Sequence, residues 1–139
     1  MLRKNDISFS WTFLKSRTSL AEEYLSNNDR VGSSALAGAV IETALRKVVS
    51  NLNIPQAKKK ICPICGTNQT YDKNIFSYLQ KFERADLLDN KMLKLLEECR
   101  QIRNIASHGY FGELKRIDCI KIIGVAKLLL QWGQRNFPN

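Results

Sequence analysis

Between Arg100 and His108 the chain reads Arg-Gln-Ile-Arg-Asn-Ile-Ala-Ser-His. At about 3.6 residues per turn, Arg100, Arg103, Asn104, Ser107 and His108 form one polar stripe, and Leu95, Cys99, Ile102 and Ala106 form the opposite, apolar face. His108 is the one histidine in the sequence, so it is the one side chain whose ordinary pKa suits both accepting and donating a proton near neutral pH. Arg103 stands five positions earlier, and its long side chain reaches the same end of the helix. A base for a 2′-hydroxyl, an acid for a leaving 5′-oxygen and a permanent cation for a crowded phosphate are the minimum for cutting RNA through its own 2′-hydroxyl, without a metal. Asn104 stands where it can hold the imidazole or a phosphate oxygen, and Arg100 where it can add phosphate affinity. A solvated helix end, with His108 set against the helix dipole just before Gly109, has the same residue pattern.

The elements that must position this stripe are helical. Phe9, Phe13, Leu20 and Tyr24 recur at helical spacing, as do Ala37, Ile41, Ala44, Leu45, Val48 and Leu52. The polar break Ser26-Asn27-Asn28-Asp29-Arg30 between them predicts an αα-hairpin. Pro55 ends the second helix near Asn53, and a loop insertion of about 54–71 follows. The helical pattern resumes at Ile75, Leu79 and Phe82, pauses around Asp86 to Asn90, and continues from Met92 through Ala106 to a stop at Gly109. The last segment, about Glu113 to Arg135, is apolar on more than one side, which suits a helix central to the bundle or shared with a second subunit. No segment has a convincing strand period. The expected fold is all-α: one domain over residues 1–139, an up-and-down bundle of four to five helices with a loop containing a Cys-Pro-x-Cys-Gly knuckle.

A hydrophobic fraction of 44% is that of a chain with a packed core and excludes a disordered protein. The formal net charge of +9 favours polyanionic partners, although a solvated surface carries such an excess equally well. No apolar run is long enough to span a bilayer, and the start of the chain lacks the apolar stretch of a signal peptide, so a cytoplasmic protein with no membrane partner is expected.

Arg103-Asn104-Ile105-Ala106-Ser107-His108-Gly109-Tyr110 resembles the Arg-x4-6-His motif of HEPN domains, and with Tyr110 it matches the longer Arg-x4-His-x-Tyr form of HEPN toxins paired with a minimal nucleotidyltransferase antitoxin. The alanine-rich run Ser34 to Arg46, with Glu42 on its buried side, looks like the second helix of that family. The resemblance implies a bundle of four or five helices and a homodimer in which Arg103 and His108 of each subunit line one cleft. It implies a metal-independent endoribonuclease, with Arg103, His108 and Asn104 catalytic, acting on tRNA or other structured RNA as a toxin or defence effector. Tyr110 would be the residue that the partner nucleotidyltransferase modifies, or else a half-buried aromatic after a helix end. Glu42 would orient Arg103 or His108 across the cleft, or else form an ordinary i,i+4 pair with Arg46. Because the family also contains members without catalysis, an RNA- or protein-binding helical module is the alternative.

Cys62-Pro63-Ile64-Cys65-Gly66 has the spacing of a zinc knuckle but supplies only half of a four-ligand site. Cys99 and Cys119 would complete it only if the loop folded back over the bundle or two subunits shared the ion; otherwise they are small core residues. Catalysis needs no cofactor, and a structural zinc at Cys62 and Cys65 is possible. The preceding run Lys58 to Lys60 either contacts phosphates or is solvated.

Overall fold

The computed structural model describes residues 9–52, 57–61, 64, 68–72, 82, 87–107 and 113–138. The fold is all-α, and its described helices are α1 (Trp11–Ser26), α2 (Arg30–Asn51), α3 (Asn90–Ser107) and α4 (Arg116–Asn136). Phe82 is also helical and fully buried, whereas Ile75 and Leu79 lie outside the described residues.

The first hairpin forms where the sequence predicts it. Ser10 caps α1 by accepting a hydrogen bond from the Phe13 backbone N–H at 3.0 Å, and Asp29 caps α2 by accepting one from Gly32 at 2.8 Å. Each satisfies a helix-start N–H that has no partner within the helix. Between them Asn28 adopts a left-handed φ of 63°, a conformation asparagine tolerates better than most residues. The chain therefore reverses within three residues, Asn27 to Asp29.

The segment expected to be an irregular loop is instead built around a β-hairpin. Strand β1 (Ala57–Ile61) pairs antiparallel with β2 (Asn68–Asp72), in a register running from Ala57 opposite Asp72 to Ile61 opposite Asn68. Its sequences, Ala-Lys-Lys-Lys-Ile and Asn-Gln-Thr-Tyr-Asp, lack the alternation of apolar and polar residues that marks a half-buried strand. The Cys62 to Gly66 knuckle falls between the two strands in sequence; Cys62 and Cys65 lie outside the described residues.

Helices α2 and α4 form the central pair, with α1 and α3 each packing on both of them. The core runs along this pair through Ile41, Leu45 and Val48 of α2 and Ile122, Leu129 and Leu130 of α4. Trp11 ties the ends of the chain together: its Nε1 donates to the Phe137 carbonyl at 2.5 Å, and the Lys47 ammonium sits 5.3 Å from its ring centre. The ring lies against α4 at Gly133, where a Cβ would come within 2.4 Å of Trp11 Cη2. At the other end of the bundle, Arg30 donates to the Leu114 carbonyl at 3.0 Å and Arg116 to that of Leu25 at 3.2 Å. An ion pair between Lys121 and Glu98 joins α4 to α3, and its hydrogen bond raises the Lys121 pKa.

Two glycines of α4 should therefore respond with opposite signs to the same substitution. Gly133→Ala forces the Trp11 ring aside and should destabilise the fold by about 1–3 kcal/mol. At Gly124 an added Cβ meets nothing within 4 Å, so Gly124→Ala should stabilise by about 0.5–1 kcal/mol through helix propensity. Urea unfolding of the two variants checks both signs.

Candidate functional site

Helix α3 separates its residues as the sequence pattern requires. Cys99, Ile102 and Ala106 are buried, joined by Leu96 where Leu95 is only half-buried; Arg100 and Arg103 are partly exposed, and Asn104 is exposed. The helix ends at Ser107. His108, Gly109 and Tyr110 lie outside the described residues, as does the side chain of Ser107.

Arg103 lies across the seam between α3 and α2. Its guanidinium Nη1 pairs with Oε1 of Glu42, and the two side chains are 32% and 21% exposed, enough to weaken solvent screening without removing it. Glu42 thus takes a partner on a different helix, in addition to the i,i+4 position offered by Arg46. The aliphatic stem of Arg103 crosses α2 directly over Gly38, where a Cβ would stand 2.8 Å from Arg103 Cδ and 3.1 Å from Cγ. Any larger residue at position 38 would have to push the arginine outward. Gly38 is a site residue that helical periodicity does not single out. A glycine inside the alanine-rich run Leu36-Ala37-Gly38-Ala39-Val40 was the available signal, because glycine weakens a helix and commonly marks a close approach.

Arg100 does not join this arrangement. Its Nε and Nη2 both donate to Oε1 of Glu97, at 3.0 and 2.7 Å, on its own helix. That hydrogen bond, more than the bare charge of Glu97, raises the guanidinium pKa. Glu42 meets Arg103 at Nη1, and a guanidinium carries five N–H donors, more than one carboxylate oxygen can take up. A cation held against one carboxylate, with N–H groups to spare, can receive a phosphate oxygen without a large movement of its side chain.

Among the described residues, no three His, Cys, Asp or Glu side chains gather as a metal site. Cys99 and Cys119 are both buried free thiols. Burial pushes the Cys99 thiol up to about 12, and burial, followed by the charge of Asp118, raises that of Cys119. The Cys119 thiol also points at the Arg30 carbonyl, 3.5 Å away. Both therefore stay protonated at neutral pH and behave as small core residues, since a thiolate is the metal-binding form.

Comparison with models of known protein families, with curated proteins and with solved structures finds no match for this chain.

The Arg103–Glu42 contact is open to a direct thermodynamic check. In a double-mutant cycle built from Glu42→Gln and Arg103→Gln, chemical denaturation should return a coupling energy of about 0.5–1 kcal/mol, the range for a partly exposed pair with good geometry. Additive effects of the two substitutions would mean that the pair adds nothing to stability.

Proposed function

We propose that the chain is a metal-independent endoribonuclease of the HEPN type, in which Arg103 and His108 act on one phosphodiester. The observation that carries this reading is the anchoring of Arg103: a guanidinium fixed by Glu42 over Gly38, in the last turns of the helix that leads to His108. In the reaction, His108 takes the proton of the RNA 2′-hydroxyl, and the oxygen attacks the adjacent phosphorus. The 5′-oxygen of the next nucleotide then leaves and accepts a proton. The products carry a 2′,3′-cyclic phosphate and a 5′-hydroxyl, and the atoms balance without a metal or cofactor. Arg103 stabilises the charge that builds on the non-bridging oxygens. Asn104, exposed beside it, is free to hold a phosphate oxygen or the imidazole.

A homodimer would supply the second acid–base group by bringing two such motifs into one cleft along the α2–α3 seam. The net charge of +9 suits a structured RNA such as tRNA as substrate. Among the described residues no helix is long and apolar enough to cross a membrane. A cytoplasmic toxin or defence effector, restrained by a nucleotidyltransferase that modifies Tyr110, is the biological setting this reading favours. A structural zinc at Cys62 and Cys65 remains part of the proposal and is separate from catalysis.

One observation favours a second reading. The carboxylate of Glu42 already compensates the charge of Arg103, as it would in a helical module that binds RNA or protein without cutting. Incubation of purified protein with total RNA in EDTA separates the two. A nuclease yields fragments with cyclic-phosphate ends, and His108→Ala and Arg103→Ala each slow cleavage at least 100-fold while RNA affinity stays within a few-fold. Intact RNA in the presence of folded, RNA-binding wild-type protein would overturn the nuclease reading in favour of the binding module.

A further inference from the structure

Helix α4 buries one face in the core and carries a second apolar line on its outside. Ile117, Ile120 and Leu128 are 69%, 54% and 49% exposed, and Gly124 lies between them. At about 100° per residue, all four fall within a sector of about 80°, turned away from α2. Single exposed apolar residues are ordinary, but an aligned set of them is not. A groove flanks the line on each side. One, of about 340 Å³, runs between α4 and the end of α1 and includes Leu25, Ile120, Ile123 and Gly124 in its wall. The other, of about 540 Å³, lies between α4 and the start of α3 and includes Met92, Leu95, Leu128 and Trp132. Gly124 leaves a notch midway, since nothing lies within 4 Å of where its Cβ would be.

The charges around this surface decide what fits it. Two lysines at its margins are already matched within the molecule, Lys127 by Glu22 at 2.8 Å and Lys121 by Glu98. Lys91, Arg116 and Arg135 also line the grooves, and none of them has a carboxylate partner among the described residues. Against these three cations stands the carboxylate of Asp89, which lines the same groove as Lys91 and Arg135, so the rim keeps a basic excess. A second copy of the chain is a poor occupant of this face, because it would bring the same unmatched Lys91, Arg116 and Arg135 and no acidic surplus to meet them. RNA offers phosphates but no apolar side to cover the isoleucines. The exposed line spans roughly three helical turns, the length over which a docked helix presents anchors at i, i+3 or i+4, and i+7.

We propose that the outer face of α4 docks an amphipathic helix of another protein, apolar where it meets Ile117, Ile120 and Leu128 and acidic along its edges. The site is independent of the ribonuclease reading, because it lies on the side of α4 opposite α2, whereas Arg103 and Glu42 occupy the α2–α3 seam.

The test is selection from a displayed library of amphipathic helices, varied in both apolar pattern and charge. The full chain is the target, and Ile120→Ala/Leu128→Ala is the counter-target, its folding verified by circular dichroism. Enriched helices should carry apolar residues at helical spacing and a net negative charge. As free peptides they should lose at least tenfold in affinity for the double variant and weaken as salt rises. No enrichment over the counter-target would overturn the proposal, and so would enrichment of neutral or basic helices. A wild-type dimer that the double substitution dissociates in sedimentation would also overturn it, by assigning the face to a second copy.

Discussion

Arg103 can lie across α2 only if three conditions are met together: its stem must find room, its charge must find a counter-charge, and its own helix must be held at a fixed distance. Gly38 provides the room, Glu42 the counter-charge, and the buried face of α3 the distance. None of these is an efficient way to stabilise a bundle. A glycine in the middle of a helix costs about 0.5–1 kcal/mol relative to alanine. A partly buried ion pair returns little more than its desolvation costs. An alanine at position 38 and an apolar residue at 42 would make a better seam if packing were all that mattered. Local departures from good packing tend to occur where a protein does something other than fold, and here two of them converge on the side chain that precedes His108 by little more than one helical turn.

The rest of the bundle serves to keep that seam rigid. Helices α2 and α4 are apolar along the faces they share, and α3 packs against both. Leu96, Cys99, Ile102 and Ala106 anchor α3 through most of its length, so Arg103 cannot move away from Gly38 without exposing buried surface. The Trp11 contact with Gly133 and Phe137, and the hydrogen bonds of Arg30 to the Leu114 carbonyl and of Arg116 to that of Leu25 in the last turn of α1, close the two ends of the bundle. Helix α4 contributes to the core on one side and offers Ile117, Ile120 and Leu128 on the other, which is why its sequence is apolar over more than one face.

The features set by short-range physics were legible in the sequence. Helical periodicity places α1, α2, α3 and α4, the run Ser26 to Arg30 marks the first turn, and the 3.6-residue repeat separates Ile102 and Ala106 from Arg103 and Asn104. On α1, however, the buried face is Trp11, Leu14, Ala21 and Leu25, while Phe9 and Phe13 are exposed and Leu20 and Tyr24 half-buried. The site was harder to read. The partner of Glu42 was ambiguous because a local i,i+4 neighbour, Arg46, competes on paper with a residue more than sixty positions away, and only packing of α3 against α2 brings Arg103 into reach. Gly38 was overlooked because its value lies in what another helix places over it. The β1–β2 hairpin escaped notice because Lys58 to Lys60 and Asn68 to Thr70 show no apolar alternation, and a two-stranded ladder is held by backbone hydrogen bonds that side-chain patterns do not report.

In the proposed mechanism, Arg103 serves catalysis through the position Gly38 and Glu42 impose on it. Single-turnover RNA cleavage by Gly38→Ala tests this most directly, because the substitution removes no functional group and favours the helix that contains it. The expected result is a cleavage step slowed about 100-fold, as when a reacting group is displaced by roughly 1 Å, with the fold intact by circular dichroism and unchanged affinity for a 2′-deoxy RNA analogue. Cleavage by Gly38→Ala at the wild-type rate would contradict this mechanism.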